Sequence, residues 1–169
     1  MLVGVVSDSH DDLESTRRVG QRLRELGVKL VIHLGDIVAP FTLRELVKAS
    51  GARVEGVFGN NDAEIPALLQ AAQESGSRIE WWPRILELDG KRLLLMHGSG
   101  PATVTSEVAR ALAESGHFSA VLYGHTHVPE LTYVRGVLLL NPGPVSSFIG
   151  GPSLAVVDTE TLAARLIRL

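Results

Sequence analysis

Two histidines separated by one residue follow a short apolar run in the segment LYGHTHVPE. His125 and His127 stand directly after Gly124 and Thr126, in a chain of 169 residues that has only six histidines. Imidazole nitrogens bind transition-metal ions and exchange protons near neutral pH. The spacing of this pair is therefore typical of a metal-binding site, and the question is which other groups join it.

Polar residues also end the other apolar runs that are predicted to be core strands. In open α/β sheets, ligands bind in the crevice outside the carboxyl ends of the strands. Groups that are distant in sequence are therefore expected to converge there. Four of the six histidines are among them, and the full set is Asp8, His10, Asp36, Asn60, His97, His125 and His127.

These seven groups offer a mixed set of oxygen and nitrogen donors that exceeds what one ion with an open position would use. Shared by a bridging carboxylate, they suit two divalent ions about 3.5–4 Å apart. Ligands rich in imidazole and free of thiolate favour Mn, Fe, Zn, Co or Ni over Mg or Ca. In an extended segment, residues i and i+2 share a face. We therefore expect His125 and His127, and likewise Asp8 and His10, to reach neighbouring ions.

The first half of the chain alternates short apolar runs with amphipathic stretches, which predicts parallel strands joined by helices. The first helix is expected to be capped by Asp11 or Asp12. The second is expected to begin at Thr42, because Thr42 and Glu45 have the spacing of a capping box. The third is expected near residues 64–75.

The second half reads mostly as strands and turns. The pair Asp89-Gly90 between apolar runs predicts a hairpin, and Trp81-Trp82 is expected to lie in its first strand with the rings on opposite faces. A further helix is expected near residues 106–115, with Val108 and Leu112 on one face. Another strand pair is expected around Arg135-Gly136, and a last one at the end of the chain.

These elements predict the α/β class, with a two-sheet β-sandwich flanked by helices. The sheets are expected to be mixed, with parallel character in the first half and antiparallel character in the second. Residues 1–169 are expected to form one domain. The more exposed of the two tryptophans is expected to contact another subunit of a homo-oligomer.

Composition excludes several classes of function. The net charge of −3 argues against strong nucleic-acid binding, which needs clustered Lys and Arg. The absence of cysteine excludes disulfides, thiolate nucleophiles and sulfur ligands. The start of the chain lacks the pattern of a secretion signal, and no apolar run is long enough to span a bilayer. We therefore expect a cytoplasmic protein without membrane association.

The polar strand ends form five short motifs in a fixed order. They are D-x-H (Asp8, His10), G-D (Gly35, Asp36), G-N (Gly59, Asn60), H-G (His97, Gly98) and G-H-T-H (Gly124 to His127). This order resembles that of the calcineurin-like metallophosphoesterases. The short chain and the NPG at residues 141–143 resemble the small prokaryotic phosphodiesterases of that superfamily.

The resemblance implies a metal-dependent phosphoesterase, most simply a phosphodiesterase, acting on a small phosphoester through a hydroxide that bridges two divalent metals. One metal would be held by Asp8, His10, Asp36 and His127. Asp36 would bridge to a second metal held by Asn60, His97 and His125. Asp36 and Asn60 are also the predicted catalytic residues, and manganese is the expected metal, with Fe, Zn, Ni or Co as alternatives.

One position departs from the motif of many relatives. Where they have G-N-H, with a histidine that assists the leaving group, this chain has Asn61. An amide is not a proton donor of that kind, so the reaction shifts towards diesters or substrates with acidic leaving groups. Asn61 is retained as a candidate substrate-binding residue.

Single residues of this set also have ordinary structural roles. Taken singly, Asp8 or Asp36 is more often a helix cap or turn residue than a ligand. His33 and His117 are expected to be structural or solvated. The alternative function is a non-catalytic scaffold of the metallophosphoesterase fold that binds protein partners, as the retromer subunit of this fold does. Such scaffolds typically lose ligand histidines, whereas all seven positions are filled here.

Overall fold

Eleven strands form two mixed sheets that pack face to face, and four helices cover the outer faces. The computed structural model describes residues 1–169. The predicted α/β class and the two-sheet sandwich are thus confirmed. The strands are β1 (Leu2–Val6), β2 (Leu30–His33), β3 (Arg53–Val57), β4 (Arg78–Glu80), β5 (Arg84–Leu88), β6 (Lys91–Met96), β7 (Ala120–Tyr123), β8 (Glu130–Val134), β9 (Val137–Asn141), β10 (Ser153–Asp158) and β11 (Ala164–Arg168), and the helices are α1 (Leu13–Glu25), α2 (Pro40–Ser50), α3 (Ile65–Glu74) and α4 (Ala102–Glu114).

One sheet has six strands and the other has five. The first has the strand order β11-β10-β1-β2-β3-β4, with β1 to β4 parallel and β10 antiparallel to β1. The second has the order β5-β6-β7-β9-β8. Its central strands β6, β7 and β9 are parallel, so the expectation of an antiparallel second half is wrong there. The reason is that α4 carries the chain across from β6 to β7, and a crossover of this kind joins parallel strands.

The central strands are buried on both faces, which is why they read as continuous apolar runs. In β1, Val3 and Val5 join the core between the two sheets, whereas Val6 joins the core under the helices. Burying an aliphatic side chain of this size contributes about 1.5–3 kcal/mol. Both layers therefore hold β1 firmly, and with it the loop that follows its carboxyl end.

Two helix starts differ in part from the prediction. Asp12, and not Asp11, caps α1, because its Oδ1 accepts from the Ser15 backbone N at 3.0 Å. The capping box at Thr42 is wrong: α2 begins two residues earlier, at Pro40, whose missing N–H suits the first position of a helix. The Thr42 hydroxyl instead donates to Asp11 Oδ1 at 2.6 Å, which ties α2 to the loop after β1.

The last helix is longer than predicted and faces the sheet differently. It begins at Ala102, and its buried residues are Thr105, Ala109 and Ala113, whereas Val108 is 44% exposed. Small side chains bring a helix closer to a sheet, so Ala109 and Ala113 are fully buried there, whereas Leu112 packs against the same core only in part. The hairpin at residues 89–90 is confirmed by the pairing of β5 with β6. The third helix, the hairpin of β8 with β9 and the terminal pair β10–β11 also lie where the sequence predicts them.

The tryptophan pair does not lie in a strand. Trp81 and Trp82 connect β4 to β5, because Pro83 offers no N–H to a sheet ladder and strands avoid it. Trp81 is 66% exposed and its ring lies 5.1 Å from that of Phe58, whereas Trp82 is partly buried. None of the four helices is long and apolar enough to cross a membrane.

Candidate metal centre

All seven predicted site residues lie at one edge of the molecule. The strands β1, β2 and β3 are parallel in the first sheet, and β6 and β7 are parallel in the second. The loops after these five strands meet where the carboxyl ends of both sheets face the same side. This arrangement follows from strand direction, as the sequence predicts.

The carboxylate of Asp36 lies between two imidazoles. Its Oδ2 is 3.4 Å from His10 Nε2, and its Oδ1 is 3.4 Å from His97 Nε2. On the His10 side, Asp8 Oδ1 is 3.3 Å from His127 Nε2 and 3.9 Å from His10 Nε2. Asp36 thus presents one oxygen to each of two neighbouring groups of donors.

The second group is centred on Asn60. Its Oδ1 lies 3.1 Å from His97 Nε2 and 2.9 Å from His125 Nδ1. The side chain of Asn60 therefore joins the two imidazoles that the first group lacks. Ligand atoms within 4.8 Å of one another also define the sets Asp8–His10–His127 and Asp8–Asp36–His97.

Backbone carbonyls determine which imidazole nitrogens are free to bind a metal. His97 Nδ1 lies 2.6 Å from the Leu34 carbonyl oxygen, and His125 Nε2 lies 2.8 Å from that of Gly100. A carbonyl oxygen only accepts, so each of these nitrogens carries the proton and donates. The opposite nitrogens keep their lone pairs and point at Asn60 and Asp36. Metal-binding histidines are oriented in this way.

Two buried atoms at the centre of the cluster have no hydrogen-bond partner. They are Asp8 Oδ1 and His10 Nε2. Buried polar atoms are nearly always paired, and leaving one unpaired costs about 1–3 kcal/mol. A divalent cation between these atoms would remove the cost for both. The oxygen and nitrogen donors of this edge therefore fit a divalent metal ion.

Electrostatics hold both central carboxylates in their charged form. Burial opposes the ionisation of Asp8, but the neighbouring imidazoles of His10 and His127 outweigh it and lower its pKa. Burial likewise opposes the ionisation of Asp36, and contacts with His97 lower its pKa. The Asp8 carboxylate in turn raises the pKa of His10. Protons therefore compete with a metal ion for the His10 imidazole, because a histidine must be neutral to bind a metal.

The site loops are tightly turned and not extended. Asp8 and His10 have φ of 55° and 43°, and His125 and His127 have φ of 70° and 57°. The expectation that extended backbone places each pair on one face is therefore wrong. Left-handed backbone is uncommon outside glycine and persists only where its surroundings impose it. Here the backbone N of Asp8 donates to the Gly35 carbonyl at 3.0 Å, which holds the loops after β1 and β2 together.

The glycines of two motifs allow this close approach. A Cβ at Gly59 would collide with the carboxylate and backbone nitrogen of Asp36. A Cβ at Gly124 would collide with Ser7 Oγ and would lie 3.2 Å from Asp8 Oδ2. Glycine is required at both positions because another strand end occupies the space.

Two buried residues outside the predicted ligand set connect the loops. His33 Nε2 lies 2.7 Å from Ser9 Oγ, and the backbone N of Gly35 donates to His33 Nδ1 at 3.2 Å. This agrees with the structural role expected for His33. Asp62 accepts from the backbone nitrogens of Gly59 at 2.6 Å and Asp36 at 3.1 Å. The sequence signal for Asp62 is its position two residues after the G-N motif.

The remaining candidate residues, Asn61 and His117, are both exposed. Asn61 is exposed at the cluster, and its Nδ2 donates to Asp36 Oδ2 at 2.7 Å. His117 is exposed beyond the end of α4, away from the other histidines. Two open clefts border the site. One lies between the start of α1 and residues 147–152, and the other lies between Thr126 and the start of α4.

Comparison with known proteins agrees with this site. The model of the calcineurin-like phosphoesterase superfamily domain matches residues 1–162, so the chain belongs to that family. It is 30% identical over 172 residues to the phosphodiesterase MJ0936 of Methanocaldococcus jannaschii, covering 100% of this chain and 99% of the relative. The chain is accordingly a phosphoesterase, a hydrolase of phosphoric esters, and the predicted family is confirmed.

Two solved structures have the same fold. The structure of a novel archaeal phosphodiesterase superposes with a TM-score of 0.85 at 30% identity, with 100% of both chains covered. Vps29 of Entamoeba histolytica complexed with zinc superposes with a TM-score of 0.67 at 19% identity, covering 100% of this chain and 98% of that one. At 19% identity, the similarity to Vps29 shows a common fold and no more.

His33 gives this site a measurable pH dependence. Burial lowers its pKa from 6.5 to about 4, so the native protein keeps it neutral where the unfolded chain is protonated. Stability should therefore fall as the pH drops from 6.5 to 4, by up to about 3 kcal/mol. A His33→Gln variant lacks this titration. In urea unfolding of metal-free protein, the difference in stability between the two proteins should change between pH 7.5 and 4.5. An unchanged difference would contradict the assignment.

Proposed function

We propose that this phosphoesterase is a phosphodiesterase that uses two divalent metal ions. The observation that carries the proposal is the position of Asp36 between two imidazole groups, next to the unpaired atoms of Asp8 and His10. One ion would be held by Asp8, His10, Asp36 and His127. The other would be held by Asp36, Asn60, His97 and His125.

The chain contributes orientation and charge to the reaction. When bound, two divalent ions supply a nucleophile near neutral pH by lowering the pKa of water, and they offset charge on the phosphoryl oxygens. Asp36 directs one carboxylate oxygen towards His10 and the other towards His97. The bonds of His97 and His125 to backbone carbonyls keep their lone pairs directed at the cluster before substrate arrives, which avoids reorganisation during the reaction.

Asn60 can act on the substrate itself. Its Oδ1 faces the two imidazoles, so its amide nitrogen is available at the exposed side of the site. There it would donate a hydrogen bond to a phosphoryl oxygen and stabilise the charge that develops during the displacement. This is the catalytic role we assign to Asn60, whereas the role of Asp36 is to hold both ions.

Two features favour a diester over a monoester. Asn61 occupies the place beside Asp36 where a histidine would supply a proton to the leaving group, and an amide does not. Two clefts, one lined by Asp11 directly after His10 and one lined by Thr126 between His125 and His127, offer space for two organic substituents on one phosphate. The substrate class that fits is a small phosphodiester with an acidic leaving group.

The non-catalytic scaffold remains the alternative within the same fold. The complete set of seven donors disfavours it, because a scaffold has no need of buried carboxylates next to unpaired imidazoles. A single domain over residues 1–169 is part of the proposal and is supported by the core between the sheets, which draws residues from both halves of the chain. Manganese as the native metal, a cytoplasmic location and a homo-oligomer stay predictions.

Replacing Asp36 by asparagine should abolish activity. The amide keeps the shape but loses the charge, and it offers one oxygen where two are needed. We expect hydrolysis of bis-p-nitrophenyl phosphate by chelator-stripped protein to return with added Mn²⁺ in the wild type. In Asp36→Asn, kcat should fall by about 10³-fold.

The control for this variant is Asp158→Asn. Asp158 is the last residue of β10 and accepts from the Glu160 and Thr161 backbone nitrogens, so this variant should keep wild-type activity. Full metal-dependent activity in Asp36→Asn would overturn the bridging assignment.

A histidine at position 61 should restore monoester chemistry. An imidazole beside Asp36 supplies the proton that a poor leaving group requires, an effect of about 10²-fold or more. Asn61→His should therefore raise kcat/KM for phenyl phosphate far more than for bis-p-nitrophenyl phosphate, whose leaving group needs no proton. Asn61→Gln retains an amide and should give no such gain. Equal behaviour of the two variants would refute the role given to this position.

A further inference from the structure

An open cleft of about 380 Å³ lies beside the metal centre, between the start of α1 and residues 147–152. One wall contains Asp11 and Asp12, which directly follow His10. The opposite wall is attached to the loop after β1, because the backbone N of Ser146 donates to the Asp8 carbonyl at 3.1 Å. The cleft is thus continuous with the loop that carries two of the proposed metal ligands.

Asp12 fixes the shape of this cleft. Its Oδ1 accepts from the Ser15 backbone N at 3.0 Å on one wall. Its Oδ2 accepts from Ser147 on the other wall, from the backbone N at 2.8 Å and from Oγ at 2.7 Å. A single buried carboxylate therefore joins both walls, and the cleft is formed before any ligand binds, as is usual for ligand sites.

The cleft presents an exposed aromatic ring. Phe148 is 76% exposed, the highest value among the large hydrophobic side chains of the protein, and Leu13 beside the cleft is 37% exposed. A lone exposed phenylalanine needs no explanation. Here, however, the ring lines a preformed cleft two residues after Ser146, which is bonded to the loop of Asp8, and a flat apolar surface there can stack against a planar group.

The charges of the cleft indicate what that group is. Three carboxylates line it, those of Asp11, Asp12 and Glu14, against the single cation of Arg18. This balance repels a second anion. It suits a neutral ring that carries N–H donors, because the exposed Glu14 can accept hydrogen bonds from them. The ligand chemistry that combines a neutral planar ring with N–H donors and a phosphate ester is that of a nucleotide.

We propose that this cleft binds a nucleoside, as the substituent that stays on the phosphate after hydrolysis, with its base stacked on Phe148. The inference rests on the proposed phosphodiesterase function and names the substrate class of that site. Phe148 is then a residue that determines specificity and takes no part in the chemical step.

The test compares two substrates with the same leaving group. Both the p-nitrophenyl ester of adenosine 5′-monophosphate and methyl p-nitrophenyl phosphate release p-nitrophenolate, so a difference between them reports the retained substituent. With Mn²⁺-loaded wild type we expect kcat/KM to be at least about tenfold higher for the nucleoside ester. Phe148→Ala should lower kcat/KM about tenfold for the nucleoside ester and leave kcat/KM for the methyl ester unchanged. Phe148→Tyr should retain the preference for the nucleoside ester.

Ile149→Ala provides the matched control. Ile149 is next in the same turn and is 37% exposed, but it does not line the cleft. The Ile149→Ala variant should have the wild-type kcat/KM for both esters. Equal kcat/KM for the two esters in wild type, or an equal loss of both in Phe148→Ala, would overturn the inference while the phosphodiesterase function stands. No turnover of either ester would overturn the proposed function and this inference with it.

Discussion

The Asp36 carboxylate is almost fully buried between His10 and His97, and most of the surrounding structure depends on keeping it there. A buried charge is costly unless it is paired and hydrogen-bonded. Its partners come from loops that are remote in sequence, so each must approach closely. The glycine at position 59 and the left-handed backbone of the site residues are consequences of that requirement.

Two connections hold these loops in register. His33 links the loops after β1 and β2, and Asp62 links those after β2 and β3. Neither side chain has to touch a metal ion to matter, because both act on backbone that carries ligands. The parallel strands bring the loops to one edge, and these buried polar contacts then determine their separation. The site is therefore built by the fold first and adjusted by a few hydrogen bonds.

Strand direction explains why the seven-residue cluster could be predicted from sequence. Polar residues at the ends of parallel strands converge whatever the details of each loop, and Asp8, Asp36 and His97 accordingly have ligand atoms within 4.8 Å of one another. The loops themselves could not be predicted. The turns at His125 and His127 depend on contacts with other loops, and a spacing rule for extended backbone fails there.

The errors in the fold have a similar origin. Thr42 and Glu45 match a local helix-start pattern, but Pro40 and the bond from Thr42 to Asp11 decide where α2 begins. In α4, the apolar pattern indicates the face of Val108 and Leu112, but the closeness of the helix to the sheet buries Ala109 and Ala113 more completely. In both cases a tertiary contact outweighs a local preference, and such contacts are absent from a pattern of single residues.

The central claim is that this edge binds two metal ions held by one shared carboxylate. The most direct test is electron paramagnetic resonance of the chelator-stripped protein after reconstitution with Mn²⁺, together with metal analysis. We expect two ions per chain with an exchange-coupled signal, as is usual for ions about 3.5–4 Å apart. A single ion per chain, or two ions with uncoupled signals, would contradict it.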